Sequence, residues 1–344
     1  MTIRLYREDD RAKWDSYVMN TRNAVCYHLA GWKDVIEKSF RQTAWYMLSE
    51  DDDCRINGIL PLIQLKSAFF GNFMVSLPYF NYGGVFADTD EIRDQLIRSA
   101  VSCARENGAE HIELRHVRSM DSEWQVKTSK VSMRLALPQN PDELWKSFPT
   151  KLRTRVRGPM KKGMHATIGK EESLNDFYSV FSVNMRDLGT PVYSKEFFRH
   201  ILRTFSDSTW ICTVYMENKK PVASGFLVGF KDTLEIPWAS SLRQYNYQSP
   251  NMLLYWSVLK FACEQGYHFF DFGRSTPGEG TYQFKEQWGA TPVQLFWHYW
   301  LKNGGPLPEL NPKNTKYRFA IEIWKKLPVG LTRLIGPAIV KNLP

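Results

Sequence analysis

The 344-residue sequence has few cysteines and no long apolar run. Its five cysteines are scattered along the chain and none stands in a C-x-x-C pair, which argues against a disulfide framework or a structural zinc site. No apolar run approaches the roughly 18 residues that span a bilayer. The opening MTIRLYREDDRAKW is polar and lacks the apolar core of a signal peptide. Together these absences predict a protein of the reducing cytoplasm.

Two catalytic signatures are incomplete. Residues 271–273 read Asp-Phe-Gly, as in protein kinases, but the H-R-D catalytic loop and the glycine-rich loop are missing. Residues 111–113 match part of a zinc deaminase motif, but its P-C-x-x-C partner is missing. Neither activity is expected, and no metal site is predicted.

The composition is that of a folded protein with an anionic partner. The length favours two domains, and the hydrophobic fraction of 43% and charged fraction of 24% are ordinary for a globular chain. The net charge of +9 favours contact with RNA, an anionic membrane face or a phosphorylated substrate, without choosing among them.

Hydrophobic periodicity predicts the same order of elements twice. In the first half, strands are predicted at 43–50, 56–67 and 73–80, a helix at 90–108 and a strand at 111–117. In the second half, strands are predicted at 208–216, 221–230 and 232–241, a helix at 249–266, and strands at 267–273 and 293–300. The chain is therefore expected to use one mixed α/β unit twice.

Residues 144–170 carry eight basic residues and no acid. They are Lys146, Lys151, Arg153, Arg155, Arg157, Lys161, Lys162 and Lys170. A charge run is usually a solvated helix face. Here residues 151, 155 and 162 fall near one helical face, and 153 and 157 near another, with no acid to pair with them. We therefore favour phosphate binding by Lys151, Arg153, Arg155 and Arg157.

The junction at 240–251 connects a predicted strand to a helix. Free N–H groups at a helix start form an anion site, so Ser249 and Asn251 are predicted phosphate contacts. Ser249 is also predicted to cap this helix. Acetyl-CoA-dependent N-acetyltransferases typically carry Q/R-x-x-G-x-G/A here, whereas Arg243 is followed by Gln-Tyr-Asn-Tyr-Gln with no glycine, which counts against ordinary acetyl-CoA use.

Three further segments have two interpretations each. Tyr79, Asn81 and Tyr82 at a strand end fit a substrate cleft or an aromatic-packed turn about equally. The tail, with six more basic than acidic residues from 311 on, fits an amphipathic helix packed on the body or, less strongly, a contact with an anionic membrane. Lys285 follows Phe284 in an aromatic run, and is either solvated or directed into a site.

The combined motifs resemble those of the FemAB/FemX-like family, most closely the FemAB-related proteins associated with exosortase and exopolysaccharide systems. The segments that carry the resemblance are LWKSF…KLRTRVRGPMKKG, RDLGTPVYSKEFF, NMLLYWSVLKFACEQGYHFFDFGRS and YQFKEQWGA. The chain lacks the long helical insertion of some peptidoglycan enzymes of this family, and has the basic tail in addition.

The resemblance implies an α/β (α+β) chain of two tandem GNAT-like domains, each a mixed sheet flanked by helices. The domains are predicted at 1–143 and 144–305, the second with the main catalytic motifs, followed by a basic helical tail at 306–344. It also implies acyl or aminoacyl transfer to an amine on a cell-envelope or exopolysaccharide-related acceptor, such as a phosphorylated or lipid-linked precursor. The donor would be aminoacyl-tRNA or acyl-CoA, with no tightly bound cofactor.

The family's functional Phe-Lys pair corresponds to Phe284 and Lys285, and Asp271 is a candidate base. The remaining predicted substrate contacts are Trp238, Tyr245, Asn246, Arg274 and Ser275. Lys285 is expected to be partly exposed. Two alternatives stay open: an acyl-CoA-dependent N-acyltransferase of the same fold, and a non-catalytic, membrane-associated component of an envelope export system.

Overall fold

The computed structural model describes residues 1–121, 123–308 and 315–343, without side chains for 315–318. The chain divides into two compact units. Unit 1 comprises Met1–Lys130, Gln294–Glu309 and Lys341–Pro344, and unit 2 comprises Val131–Val293 and Leu310–Val340. The three domain ranges inferred from the sequence remain a prediction, because contact-defined units do not establish which segments fold independently.

The secondary structure alternates short strands with helices in both units. The strands are β1 (Thr2–Leu5), β2 (Thr43–Ala44), β3 (Met47–Glu50), β4 (Ile56–Leu60), β5 (Ile63–Ser67), β6 (Gly71–Val75), β7 (Phe86–Ala87), β8 (His111–His116), β9 (Gln125–Lys127), β10 (Val131–Ala136), β11 (His165–Gly169), β12 (Thr209–Tyr215), β13 (Pro221–Phe230), β14 (Thr233–Ser241), β15 (Phe269–Ser275), β16 (Thr291–Gln294) and β17 (Phe296–Leu301). The helices are α1 (Arg11–Asn20), α2 (Gly31–Phe40), α3 (Asp90–Glu106), α4 (Pro141–Ser147), α5 (Thr150–Lys161), α6 (Leu174–Leu188), α7 (Lys195–Thr204), α8 (Pro250–Glu264), α9 (Gly280–Glu286), α10 (Thr315–Lys326) and α11 (Val329–Val340).

Among the described residues, each unit contains a parallel strand pair with antiparallel pairs beside it. Unit 1 has a four-stranded sheet, β1-β3-β4-β7, and a six-stranded sheet, β2-β5-β6-β8-β17-β9; the seven-stranded sheet of unit 2 is β11-β12-β13-β14-β15-β10-β16. The parallel pairs are β6–β8, joined through α3, and β14–β15, joined through α8. This confirms the predicted repeat of strands, helix and strand, and the mixed α/β class.

Helix α8 lies at the core of unit 2. Its side chains Met252, Leu253, Val258 and Leu259 are buried in one apolar cluster with Phe270 of β15 and with residues of β12, β13 and β14. Because α8 is apolar on nearly every side, α5 can pack against it by its own apolar stripe. Burial of these faces supplies the main stabilisation that holds α5 beside the sheet.

Four predicted strands are wrong in extent. Residues 43–50 form β2 and β3, which belong to different sheets. Residues 56–67 form β4 and β5, which belong to different sheets, because Pro61 lies between them and has no N–H for a continuous ladder. Residues 293–300 likewise split at Leu295 into β16 and β17, in the sheets of different units. The strand predicted at 73–80 ends at Val75, and β10, α1 and α2 were not predicted.

Two histidines, His116 and His298, contact each other in unit 1. Nδ1 of His116 lies 3.2 Å from Nδ1 of His298. The Nε2 atom of His116 accepts from the N–H of Val85 at 3.0 Å, and that of His298 accepts from Met120 at 3.3 Å. Only one of the two facing Nδ1 atoms can carry a proton in this contact, and burial disfavours the charged form of both rings. Burial, followed by the charges of other histidines and Arg93, lowers the pKa of His116; burial and Arg93 lower that of His298.

Stability should therefore fall as the pH drops below about 6.5. Histidines of the unfolded chain take up protons near pH 6.5, whereas the folded pair takes them up only at lower pH, so acid favours unfolding. We expect a loss of about 1–2 kcal/mol between pH 7.5 and 5.5 from the pair. Urea unfolding across this range measures it. A His298→Gln variant should show a smaller pH dependence, and an unchanged dependence would contradict the assignment.

Within the described part of the chain, no helix is long and apolar enough to cross a membrane.

Candidate active site

The parallel strands of unit 2 separate after three residue pairs. Thr233–Glu235 lie opposite Phe269–Asp271, and beyond this point β14 runs on to Ser241 and β15 to Ser275 without pairing with each other. On its other edge β15 stays paired with β10, with Ser132 opposite Arg274. In sheets with parallel strands, ligands bind beyond the carboxyl ends of the strands. The separation therefore leaves backbone groups at the end of β15 available to other elements.

Lys285 occupies this end of β15. Its Nζ donates hydrogen bonds to the carbonyl oxygens of Gly273 and Arg274, both at 2.9 Å. Gly273 has φ +74°, in the left-handed region that glycine adopts readily, and this bend accompanies the convergence of the two carbonyls on one ammonium group. The side chain is only 8% exposed. The expectation of a partly exposed lysine was wrong, because α9 places the stem against the sheet.

The environment of Lys285 makes its charge costly. Burial lowers the pKa of Lys285 to about 8; the Asp271 and Glu235 carboxylates oppose this shift, and Arg274 adds to it. At neutral pH the group is still mostly an ammonium ion. An ammonium has three N–H donors, and the two backbone carbonyls use two of them. The third is suited to an anionic or carbonyl oxygen of a substrate.

Asp271 is held by three donors. Its Oδ1 accepts from the Ser132 hydroxyl at 2.5 Å and from the Gly273 N–H at 2.8 Å, and its Oδ2 accepts from Nε of Arg134 at 2.9 Å. The carboxylate is buried while Arg134 is partly exposed. These bonds fix the backbone at Gly273, which in turn accepts from Lys285. Whether Asp271 also acts as a base stays a prediction.

Replacing Asp271 should destabilise the protein. Asp271→Asn removes the charge beside Arg134 and places an amide among donors. Breaking a buried ion pair costs several kcal/mol; because Arg134 is partly exposed, we expect about 2–3 kcal/mol, read from urea unfolding. Arg134→Gln should cost less than Asp271→Asn, since it leaves Ser132 and Gly273 bound to the carboxylate. Equal stability of Asp271→Asn and the native protein would contradict this network.

Phe284 anchors the helix that carries Lys285. It is half-buried, and its ring contacts Tyr255 at 5.0 Å and Trp288 at 6.4 Å between centroids, both edge-on. Tyr255 in turn stacks on Phe272 of β15. Adjacent helix positions point in different directions, so Phe284 can face the aromatic core of unit 2 while Lys285 reaches β15.

One flank of α5 borders the Lys285 helix. Leu152, Val156 and Pro159 are buried at helical spacing, which leaves Lys151, Arg155 and Lys162 on one side of the helix. Arg155 donates to Oε1 of Gln287 at 2.7 Å, and Gln287 lies two residues after Lys285. We call Lys151, Arg155 and Lys162 the basic flank.

The same flank reaches the connection between β14 and α8. Residues Arg243–Gln248 form a 3-10 helix there, and Nζ of Lys162 lies 5.8 Å from the ring centre of its exposed Tyr247. Nζ of Lys220 lies 5.2 Å from the ring of Tyr245. The other two predicted phosphate contacts lie elsewhere on α5: Arg157 stacks on Trp145 at 5.3 Å, and Arg153 reaches the Thr150 hydroxyl at 3.4 Å.

Ser249 does not cap α8 with its side chain. It occupies the N-cap position, but its φ of +57° replaces the extended backbone of an ordinary cap, and no N–H of the helix is bonded by its hydroxyl. The predicted cap was therefore wrong. Ser249 and Asn251 remain half-buried at the start of α8, and their phosphate role stays a prediction.

Some of the other predicted substrate contacts of unit 2 are exposed and some are buried in the core. Arg274 and Asn246 are exposed, and Asn246 accepts from the Ser241 hydroxyl at 3.3 Å. Trp238 packs edge-on against Phe198 and Phe226 in the core. The Ser275 hydroxyl is buried at the end of β15 and has no hydrogen-bond partner among the described residues. Of these residues, Arg274 supplies one of the two carbonyls that bind Lys285, and Ser275 directly follows it.

In unit 1, a side chain also lies where the parallel strands β6 and β8 end. After Val75 opposite Glu113 the strands separate, and buried Arg115 donates to the Phe80 carbonyl and to Glu113. Its guanidinium stacks 4.4 Å from the centre of the Trp297 ring. A residue of the same sheet, Arg115, thus lies where the parallel pair of unit 1 ends.

The predicted contacts at the turn 79–84 belong to this unit. Tyr82 is buried against Tyr27, whereas Asn81 and Tyr79 are half-buried, and the Tyr79 hydroxyl donates to the Lys341 carbonyl at 2.8 Å. Gly84 is required by packing, because a Cβ there would lie 2.2 Å from the His116 ring. The turn is aromatic-packed, and its part in substrate binding stays a prediction.

Sequence reasoning missed Glu235. It is 5% exposed, lies opposite Asp271 at the last pair before β14 and β15 separate, and its charge acts on Lys285. A single acid inside the apolar segment TLEIPW was the available signal, since a carboxylate is rarely buried without a specific role.

A cavity of about 390 Å³ is present in unit 1 and contains no predicted site residue. It is lined in part by Trp45, Arg98, Cys103 and Glu106. Over residues 1–121, 123–308 and 315–343, no cluster of three or more His, Cys, Asp or Glu side chains is arranged to hold a metal ion.

Comparison with known proteins supports the same fold. Residues 150–286 match the model of the acetyltransferase (GNAT) domain. The structure of FemX superposes with a TM-score of 0.64 at 15% identity, covering 86% of this chain and 97% of FemX. The comparison with curated protein sequences found no significant match.

Two other solved structures have similar coverage. The C-terminal domain of a protein assigned as lysylphosphatidylglycerol synthetase from Agrobacterium fabrum gives a TM-score of 0.56 at 11% identity, covering 85% of this chain and 91% of its own. A tandem GNAT protein from the clavulanic acid biosynthesis pathway gives 0.56 at 10% identity, covering 89% and 100%. The predicted tandem GNAT fold is therefore confirmed, and residues 150–286 match the acetyltransferase (GNAT) domain in a chain that has the fold of FemX.

Proposed function

We propose that unit 2 transfers an acyl or aminoacyl group from an activated donor to an amine, with the Lys285 ammonium as the main electrostatic catalyst. The observation that carries the proposal is the buried ammonium held by two carbonyls where the strands separate, beside the basic flank. A buried cation with one remaining donor is costly for stability, and such groups cluster at sites that bind ligands.

The reaction forms a C–N bond and breaks a C–O or C–S bond. The acceptor nitrogen attacks the donor carbonyl carbon, and negative charge develops on the carbonyl oxygen. The third N–H of Lys285 stabilises this charge in a site where burial strengthens the interaction. As the intermediate collapses, the ribose oxygen or the thiol sulfur leaves, and the proton lost by the amine ends on that leaving group.

Glu235 and Asp271 have different parts in this account. Asp271, bound by Ser132, Gly273 and Arg134, is a positioning residue that holds the β15 backbone beneath Lys285. Glu235 supplies a second negative charge that favours the ammonium form. The amine proton reaches the leaving group through the substrate itself or water, so neither carboxylate is required as a base.

Aminoacyl-tRNA is the donor that the basic flank favours. The three cations of this flank lie on the side of α5 that contacts Gln287 and Tyr247, and the Tyr247 ring is exposed. Proteins bind single-stranded nucleic acid through basic side chains that contact its phosphates and aromatic rings that stack on its bases. The acceptor would be an amine on a cell-envelope or exopolysaccharide-related precursor, phosphorylated or lipid-linked. The protein would act in the cytoplasm, in peripheral contact with the inner membrane face.

An acyl-CoA donor is the second candidate, and the match of residues 150–286 to an acetyltransferase model favours it. The helix start of α8 offers N–H groups for a pyrophosphate. The connection that leads into it holds no glycine between Arg243 and Ser249, and a 3-10 helix occupies the place of a glycine-rich turn. Both features reduce close backbone approach to a pyrophosphate, so we place this donor second.

A donor assay tests the function. The native protein and Lys285→Met are incubated with total tRNA charged with radiolabelled amino acids, or with a panel of acyl-CoAs, and UDP-N-acetylmuramoyl-pentapeptide or a lipid extract as acceptor. We expect label transfer from aminoacyl-tRNA that Lys285→Met abolishes. Transfer from acyl-CoA alone would establish the second candidate. No transfer and no donor binding would contradict both and favour a non-catalytic export component.

A further inference from the structure

The two C-terminal helices expose apolar side chains on the faces that do not pack on the body. Phe319 and Ile323 on α10 are four residues apart, and Leu331 and Leu334 on α11 are three apart, so each pair lies on one helical face. Phe319 is 70% exposed and Leu334 is 76% exposed. We call these four residues the outer apolar face.

The opposite faces of the same helices are attached to unit 2. A Cβ on Gly189, at the end of α6, would lie 2.4 Å from Ile321, and one on Gly336 would lie 2.9 Å from the Val192 backbone. Nε of Arg333 donates to the Ser182 hydroxyl at 2.8 Å. The helices are therefore held in place from one side. This confirms packing on the body, and leaves the outer apolar face unexplained by folding.

The charge of this region restricts what could cover the face. Residues 315–343 contain six basic residues and one acid, a net charge of +5 out of +9 for the whole chain. The single acid, Glu322, is paired with Lys325 at 2.7 Å. Lys326, the last residue of α10, is exposed. A partner for this surface must accept apolar side chains and bring negative charge.

We propose that α10 and α11 dock onto an anionic lipid bilayer through the outer apolar face. An interfacial helix inserts its apolar side chains below the headgroups while basic residues contact anionic lipids. Attachment to α6 orders the helices beforehand, which reduces the entropy that binding would otherwise cost. The inference concerns only this surface and does not depend on the donor or on Lys285.

Vesicle flotation tests the docking. The full chain is mixed with vesicles of phosphatidylcholine alone, or of phosphatidylcholine with about one third phosphatidylglycerol, at low and at 0.5 M salt. We expect flotation with the anionic vesicles only, weakened by salt because the attraction is partly electrostatic. Phe319→Ser/Leu334→Ser should reduce the bound fraction at least tenfold.

A matched control separates docking from general stickiness. Phe69 is 94% exposed in unit 1, so Phe69→Ser removes an exposed phenyl ring without touching the helices, and should float like the native protein. All variants should keep the native melting temperature. The proposal is overturned if the native protein stays with the unfloated fraction, or if Phe319→Ser/Leu334→Ser floats equally well. It is also overturned if light scattering shows a dimer that this variant dissociates, since the face would then join two copies.

Discussion

Lys285→Met should abolish acyl transfer without destabilising the fold. Loss of a preorganised charge at a developing oxyanion typically lowers kcat by about 10²–10³, and donor binding should change much less. Methionine keeps the length of the stem, so the packing beside Phe284 is retained. Steady-state or single-turnover transfer rates measure the loss. Lys285→Arg, which keeps a positive charge, should retain part of the activity.

The stability of the same variant gives an independent check. In the native protein the pKa of Lys285 lies at about 8, below the usual 10.5, so the unfolded chain holds this proton more tightly than the folded one between those values. Stability from this group therefore increases as the pH rises from 8 to 10.5, by about 3 kcal/mol at most. Lys285→Met should remove this increase and be no less stable than the native protein at pH 7. A strongly destabilised variant would indicate a structural lysine.

Removing the basic flank should weaken donor binding about tenfold to a hundredfold. The variant Lys151→Gln/Arg155→Gln/Lys162→Gln deletes three cations on the side of α5 that contacts Gln287 and Tyr247. If each meets a phosphate of tRNA, the slope of log affinity against log salt should fall by about 2–3. Binding of labelled tRNA at several salt concentrations measures both quantities.

A second triple variant controls for net charge. Lys195→Gln/Lys231→Gln/Lys260→Gln removes the same number of charges from other elements of unit 2 and should leave the salt slope nearly unchanged. Equal effects of the two triples would mean that tRNA responds to overall charge, and the basic flank would not be a specific surface. Unchanged binding in both would exclude a phosphate role for α5.

The sequence predicted the element order and the key lysine, but not how the lysine is held. Strand and helix periodicity identified the repeated unit and placed the ends of α3 and α8 within two residues. The resemblance selected Phe284 and Lys285. The environment of Lys285 depends on where β14 and β15 separate and on the left-handed backbone at Gly273, and no local pattern encodes either.

The errors have related causes. Segments 43–50, 56–67 and 293–300 each contain two strands in succession, and a pattern of alternating side chains does not reveal that consecutive strands join different sheets. Serine is a common N-cap residue, but Ser249 follows a 3-10 helix and has a positive φ. Its hydroxyl therefore does not bond an N–H group of α8. Glu235 was overlooked because its partner position, Asp271, is remote in sequence and becomes its neighbour only in the parallel pair.

The ratio of transfer rates of the native protein and Lys285→Arg, measured from pH 6.5 to 9.5, tests the central claim most directly. The ratio cancels the titration of the acceptor amine, and the arginine stays charged throughout. If the Lys285 ammonium is the catalyst, the ratio should be constant below pH 7.5 and fall about tenfold to thirtyfold by pH 9.5, as the lysine loses its proton. A ratio that stays constant or rises with pH would contradict the account.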